Sequence, residues 1–220
     1  MSYQGLEHAL SLERFRTYLG WAEQSRDRAL QLYELNTDVS ESLYTPLQML
    51  EVALRNRIHS VLSVSIAPGW FRMEGVVGQR SSNDVRVLEG KLRQDRGNIT
   101  TSDTVAALSL GFWTSLFGRQ REDLWQVHLH AIARRDDGKG LTRKAFSGPL
   151  NEVRQLRNRV AHHEPIIARD LEAEHARILQ LTRWLSTPAA EWASERTRFH
   201  ESWARRLESS CFMPGGRLAR

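Results

Sequence analysis

The sequence is poor in cysteine, which excludes two common ways of stabilising a small protein. Cys211 is the only cysteine among 220 residues. A single thiol can neither close an internal disulfide nor build a cysteine-based zinc site. This usage is typical of reducing compartments, so we expect a cytoplasmic location. The first residues, up to Phe15, lack a basic stretch followed by an apolar one, and we expect no secretory signal.

Long apolar runs are also missing. The longest apolar stretch lies around Val105–Trp113, and Ser109 and Gly111 interrupt it. A membrane-spanning helix needs about 20 apolar residues, so we expect no membrane partner. The chain also lacks a Walker-type glycine-rich loop, a His-Glu-x-x-His pair and a serine in a nucleophile-elbow context. These absences argue against P-loop nucleotide binding, zinc proteolysis and serine hydrolysis.

Hydrophobic residues make up 40% of the chain and charged residues 26%, which is an ordinary globular balance with enough apolar material for a core. The formal net charge of +5 is compatible with a nucleic-acid partner. Periodicity is helical nearly throughout, and no segment alternates with a period of two. We therefore predict a single all-α domain over residues 1–208, built as a helical bundle, and a loose tail over residues 209–220.

Local signals predict several helix boundaries. Asp38 followed by Glu41 resembles a capping box and predicts a helix start. Pro46 either kinks that helix or opens a new one in its first turn. Gly75–Asn83 is predicted to be a loop, with Ser82 or Asn83 capping the next helix. A later helix is predicted to run through Phe146 and Val160 to the histidines, where Pro165 ends it, because the residue before a proline is pushed out of the α region.

The segment Leu156–Pro165 carries the strongest chemical signal. It contains Arg157, Asn158, His162 and His163 within seven positions. Arginine offers a permanent cation that matches phosphate oxygens, and histidine can take up and release a proton near neutral pH. An RNA phosphodiester carries its own nucleophile, the 2′-hydroxyl, so its cleavage requires a base, an acid and a cation. No metal and no cofactor are needed.

The spacing within this segment only partly favours a shared site. Asn158 and His162 are four residues apart and share a helix face, so Asn158 could orient the imidazole or donate to the phosphate. Arg157 and His162 are five apart, about 140° around an ideal helix. They converge only if the last turn is irregular, or if a second subunit completes the site. The alternative is structural: Arg157 pairs with Glu152 or Glu164, and the histidines cap the helix.

Other polar residues leave similar alternatives open. Glu51, Arg55 and His59 share one helix face, either as an intrahelical ion pair or as groups that reach the cleft and position Arg157 or His162. Five tryptophans either stack on bases or belong to the core or a dimer interface: Trp113, Trp125, Trp184, Trp192 and Trp203. The remaining histidines, His128, His130 and His175, match no zinc spacing, so we expect no metal site.

Three stretches resemble the abortive-infection (Abi-like) family of the HEPN superfamily. The segment Leu156–Pro165 is similar to its Arg-polar-x-x-x-His motif, with Asn158 at the polar position. Leu50–Asn56 resembles its upstream Leu-Glu-x-x-Leu-Arg-Asn helix, and Leu110–Trp113 its central Gly-Phe-Trp element. The three occur in the expected order, and the resemblance covers roughly Tyr33–Trp184.

This resemblance implies an HEPN-like helical bundle with additional helices. It also implies a metal-independent endoribonuclease of phage-defence or toxin–antitoxin type, which leaves a 2′,3′-cyclic phosphate. Arg157 would hold the phosphate and His162 would act as general base or acid, in a composite site of a homodimer. Asn158, His163, Glu51 and Arg55 would support them. RNA would be the substrate and an antitoxin a further partner. The alternatives are a non-catalytic HEPN module that binds nucleic acid or an antitoxin, and an oligomerisation scaffold.

Overall fold

The computed structural model describes residue 10 and residues 12–208. In this part of the chain every regular element is a helix, which confirms the predicted all-α class. The predicted tail and Cys211 lie outside the described residues. The α-helices are α1 (Leu12–Trp21), α2 (Arg26–Ser42), α3 (Tyr44–Ser65), α4 (Glu74–Val77), α5 (Gln79–Arg96), α6 (Thr101–Ala107), α7 (Leu110–Ser115), α8 (Glu122–Ile132), α9 (Arg143–Ala161), α10 (Leu171–Leu185), α11 (Thr187–Arg196) and α12 (Phe199–Glu208), with short 3₁₀ turns at Trp70–Arg72 and Arg119–Arg121.

Helix α3 is the central element of the bundle. Its apolar residues recur every three or four positions, and Leu50, Leu54, Ile58 and Leu62 are each almost fully buried. Helices α2, α7, α8, α10 and α11 all pack against it. Pro46 is the third residue of α3, where the missing N–H costs nothing, so this proline opens a new helix rather than kinking one. No helix among the described residues is long and apolar enough to cross a membrane.

Two predicted boundaries are wrong. Helix α2 runs from Arg26 through Asp38 and Glu41 to Ser42, so no helix starts at Asp38. Its buried stripe continues past that point through Val39, and burial along the stripe outweighs the local capping signal. The predicted loop Gly75–Asn83 contains α4 and the first turn of α5, which are separated by Gly78 at a positive φ of 83°. That backbone angle favours glycine, so the break falls there.

The tryptophans of α7 and α8 belong to the core. Trp113 is fully buried, and its Nε1 donates to the Leu108 carbonyl at 3.2 Å. Trp125 stacks on Phe117 at 4.3 Å between ring centroids, and its Nε1 donates to the Leu116 carbonyl. Rings held in this way are not free to stack on bases. Trp203 is also buried, whereas Trp184 is half-buried and Trp192 is exposed.

His175 of α10 packs against the start of α12. Its ring is buried and stacks on Phe199 at 4.4 Å between centroids. Its Nε2 lies 3.3 Å from the Thr197 hydroxyl, and the His200 ring packs edge-on at 5.1 Å. Burial, and secondarily the neighbouring His200, lower the pKa of His175 to about 4. The neutral imidazole is therefore part of the packing between α10 and α12.

This burial predicts that acid destabilises the folded chain. Below pH 6.5 the unfolded chain protonates this histidine, whereas the folded chain resists protonation until about pH 4. The free energy of unfolding should therefore fall by about 3 kcal/mol across that window and change no further from this group below it. Urea unfolding at several pH values measures the loss. His175→Gln should remove it, and His130→Gln, at an exposed histidine, should not. Identical pH profiles for wild type and His175→Gln would contradict the prediction.

Candidate functional site

Helix α9 carries the Arg-Asn-x-x-x-His segment at its C-terminal end. The helix begins after Thr142, whose hydroxyl accepts from the Ala145 N–H. It continues through Pro149, where Phe146 and Leu150 on either side are buried in the core. Burial of this apolar stripe stabilises the helix despite the hydrogen bond that proline cannot donate.

A backbone turn, and not Pro165, ends α9. His162 is the C-cap residue, the His163 N–H donates to the Val160 carbonyl at 3.1 Å, and the Glu164 N–H donates to the Arg159 carbonyl at 2.8 Å. These two hydrogen bonds define a Schellman motif, in which the residue after the cap takes a left-handed conformation. The helix therefore ends next to the predicted histidines, but the cause of its end is the turn and not Pro165.

His163 occupies the position that is usually glycine in such a turn. Its φ is +56°, in the left-handed region. Histidine is found there more often than most residues, but a side chain with a Cβ is still strained in this conformation. The left-handed residue also breaks the helical register, so His163 no longer follows the face of α9.

Asn36 of α2 anchors the segment that follows. Asn36 is buried, and its Oδ1 accepts from the Ile166 N–H at 2.7 Å. Its Nδ2 makes a longer contact, at 3.5 Å, with the Glu164 carbonyl. Ile166 and Ile167 are fully buried beside it. Asn36 is not among the residues predicted from the sequence, although its position on the buried stripe of α2, four residues after Leu32, is a signal for a buried polar anchor.

Helices α2, α3 and the end of α9 enclose a cleft of about 790 Å³. Four of the predicted site residues line it: Glu51, Arg55, Arg157 and His163. Two others, Asn158 and His162, do not. His162 is exposed at the cap and Asn158 is half-buried. Arg157 thus lines the same cleft as the second histidine of the pair and not the first.

Arg157 is paired across helices and not within its own. Its Nη2 lies 3.6 Å from Oε2 of Glu51 on α3, and both side chains are partly exposed to the cleft. The predicted partners have other contacts, since Glu152 pairs with Arg177 at 3.0 Å and Glu164 with Arg159 at 3.6 Å. The predicted ion pair of Arg157 with Glu152 or Glu164 is therefore wrong. Glu51 of α3 instead holds Arg157 towards the cleft.

Arg55 connects the cleft to α6. Its Nη1 donates to the Ala106 carbonyl at 3.3 Å, and its Nε is buried without a hydrogen-bond partner among the described residues. No ion pair joins it to Glu51 in this part of the chain. His59, one turn further along α3, accepts at Nδ1 from Trp70 Nε1 at 3.3 Å, and burial lowers its pKa. His59 is not among the residues that line the cleft.

No group of three or more histidine, cysteine, aspartate or glutamate side chains within the described ranges is arranged to hold a metal ion. Comparisons with known proteins add no relative: no protein-family model, no curated protein and no solved structure matches the chain. The resemblance to the Abi-like family therefore rests on the motif residues themselves.

The Asn36 anchor predicts a specific loss of stability. Asn36→Ala leaves the Ile166 N–H buried without an acceptor, which should lower the free energy of unfolding by about 2 kcal/mol. Urea denaturation measures this loss. Thr37→Ala is the matched control, because Thr37 is exposed and its hydroxyl donates to the Tyr33 carbonyl of its own helix. A loss at Asn36 no larger than at Thr37 would contradict the anchor.

The left-handed conformation of His163 predicts that glycine is more stable than alanine at this position, which is the reverse of the usual order. His163→Gly should be about 1 kcal/mol more stable than His163→Ala, since only alanine keeps a Cβ at positive φ. The melting temperatures of both variants, compared by circular dichroism, test this. At His162, whose φ is −94°, the order should reverse, with alanine the more stable. Equal stability of the two His163 variants would show that the turn is not left-handed in solution.

Proposed function

We propose that the protein is a metal-independent endoribonuclease, with its reaction centre in the cleft between α2, α3 and the end of α9. The observation that carries the proposal is that Arg157 and His163 line this one cleft. A fixed cation and an imidazole supply two of the three groups that cleavage at an RNA phosphodiester requires, the cation and the base. The resemblance to the Abi-like family, which includes the same segment, points to the same activity.

The proposed chemistry uses the nucleophile that RNA already contains. Arg157 binds the non-bridging phosphate oxygens, and Glu51 orients its guanidinium. An imidazole removes the proton of the 2′-hydroxyl, whose oxygen attacks phosphorus while the bond from phosphorus to the 5′ oxygen breaks. The departing oxygen takes a proton from a second imidazole or from water. The products are a 2′,3′-cyclic phosphate and a 5′-hydroxyl, with atoms and charge balanced.

The two histidines have different support for a role in proton transfer. The motif favours His162, which matches the position of the family's histidine. The cleft favours His163, because it lines the same cavity as Arg157 whereas His162 does not. We assign the proton transfer within one chain to His163. Both histidines are exposed, and His162, which does not line the cleft, is then the group available to a second copy, as the homodimer implied by the resemblance requires.

A second candidate function is a non-catalytic module that binds nucleic acid or an antitoxin. The observation that favours it is the contact between Arg157 and Glu51, since a guanidinium already paired within its own chain offers less charge to a phosphate. The phage-defence or toxin–antitoxin setting belongs to both candidates and rests on the resemblance.

Cleavage of end-labelled single-stranded RNA in EDTA tests the proposal. We expect wild type to cut, and Arg157→Ala and His163→Ala each to lose about 10²- to 10⁴-fold in rate. His162→Ala should lose less than His163→Ala. Arg159→Ala is the matched control, because Arg159 lies two residues further along α9 and pairs with Glu164. His130→Ala controls for loss of an exposed imidazole.

Three results would count against this assignment. Wild type that binds RNA but leaves it intact would support the non-catalytic module. Cleavage that EDTA abolishes would contradict a metal-independent reaction. Cleavage that survives His163→Ala but not His162→Ala would move the proton transfer out of this cleft.

A further inference from the structure

One side of α3 continues the cleft beyond the Arg157–Glu51 pair. Tyr44, Gln48, Glu51 and Arg55 follow one another at intervals of four, three and four residues, and all four line the cavity. With a rise of about 1.5 Å per residue, Gln48 lies about 4.5 Å and Tyr44 about 10 Å along the helix axis from Glu51. A nucleotide whose phosphate lies at Arg157 can span that distance with its sugar and base.

Tyr44 gives this part of the cleft an aromatic surface. Its side chain is 65% exposed, although it lines a cavity of the molecule. On the α2 side, Tyr33 is half-buried and packs edge-on against Tyr18 at 5.5 Å between centroids, which restricts its ring. An exposed aromatic ring beside a phosphate-binding cation is the combination that proteins use to bind single-stranded nucleic acid.

A polar group in the same region is available to a ligand. Gln48 is exposed, and among the described residues its amide makes no hydrogen bond. Two lining residues carry buried polar atoms without a partner in the described part of the chain, Ser40 at Oγ and Arg55 at Nε. Both atoms are closed to solvent, so Gln48 is the polar group that the open cleft offers to a ligand.

The charges of the cleft also suit an anionic chain. It contains two carboxylates, Glu41 and Glu51. Glu41 pairs with Arg198 at 2.6 Å, and Glu51 lies close to Arg157. Both acids are thus offset by an arginine, and Arg55 adds a cation without a carboxylate partner among the described residues. A polyanion can enter this cleft without facing an uncompensated carboxylate.

We propose that this part of the cleft is a nucleobase subsite for single-stranded RNA, in which Tyr44 stacks on the base next to the scissile phosphate and Gln48 hydrogen-bonds to its edge. The inference rests on the proposed function, because the phosphate at Arg157 sets the position of the base. It specifies the substrate class, since a base inside a duplex is stacked and cannot be turned towards the tyrosine.

Binding of uncleavable RNA separates this subsite from the reaction. The probe is a fluorescent single-stranded hexamer with 2′-fluoro sugars, which lacks the nucleophile, and anisotropy in EDTA measures its affinity. We expect one abasic position in the hexamer to weaken binding about tenfold, and an annealed duplex to bind at least tenfold more weakly than the single strand.

The variants then assign this effect to Tyr44. Tyr44→Ala should bind the intact hexamer about tenfold more weakly and the abasic hexamer as wild type does, whereas Tyr44→Phe should bind both normally. Gln48→Ala should alter the preference among the four bases and provides a second readout if Tyr44→Ala folds poorly. Val64→Ala is the control for loss of an exposed apolar side chain on α3, because Val64 is 88% exposed and is not among the lining residues.

The outcomes distinguish the subsite from the catalytic proposal. Equal affinity for intact and abasic hexamers, equal affinity for the duplex, or no binding of RNA would each overturn the subsite. If binding depends on the base and on Tyr44 but unmodified RNA is not cleaved, the subsite is supported and the proposed ribonuclease activity is contradicted. Cleavage that ignores an abasic position on either side of the scissile bond would support the ribonuclease and overturn the subsite.

Discussion

The hydrogen bond from the Ile166 N–H to the buried amide oxygen of Asn36 is the constraint on which the candidate site depends. It joins α2 to a segment 130 residues further along the chain, immediately after α9. Because Ile166 is fixed there, the turn that carries His163 ends against the wall formed by α2. The Glu51–Arg157 contact fixes the other side of the cleft by joining α3 to α9. Together, these contacts from α2 and α3 position the end of α9, whose Arg157 guanidinium and His163 imidazole line one cavity.

This arrangement includes local strain. His163 adopts the backbone conformation of a glycine, which costs stability unless the surroundings enforce it. The surroundings do so through the two hydrogen bonds of the Schellman motif and through the burial of Ile166 and Ile167. Strained residues of this kind concentrate at functional sites, where a side chain must leave the direction that the helix would give it. In the proposed account, the strain directs His163 towards the phosphate that Arg157 binds.

The sequence predicts the fold better than it predicts the site. The all-α class and the buried stripe of α3 follow from local periodicity, which depends on residues three and four apart. The same reasoning fails at Asp38, because a short capping signal cannot reveal that the buried face of α2 continues. The partner of Arg157 could not be predicted from spacing, since Glu51 lies on another helix. The choice between His162 and His163 depends on one backbone angle, and a histidine in place of glycine gives no signal of that turn.

The most direct test of the central claim is whether Arg157 and His163 contact one phosphodiester together. Imidazole ¹H–¹⁵N spectra of the ¹⁵N-labelled protein can be recorded during titration with a 2′-fluoro dinucleotide, with His162 and His163 assigned from single substitutions. The account predicts that the resonances of His163 shift on binding, that those of His162 change little, and that Arg157→Gln abolishes the His163 shift. Binding of the dinucleotide that shifts only His162, or neither histidine, would contradict it.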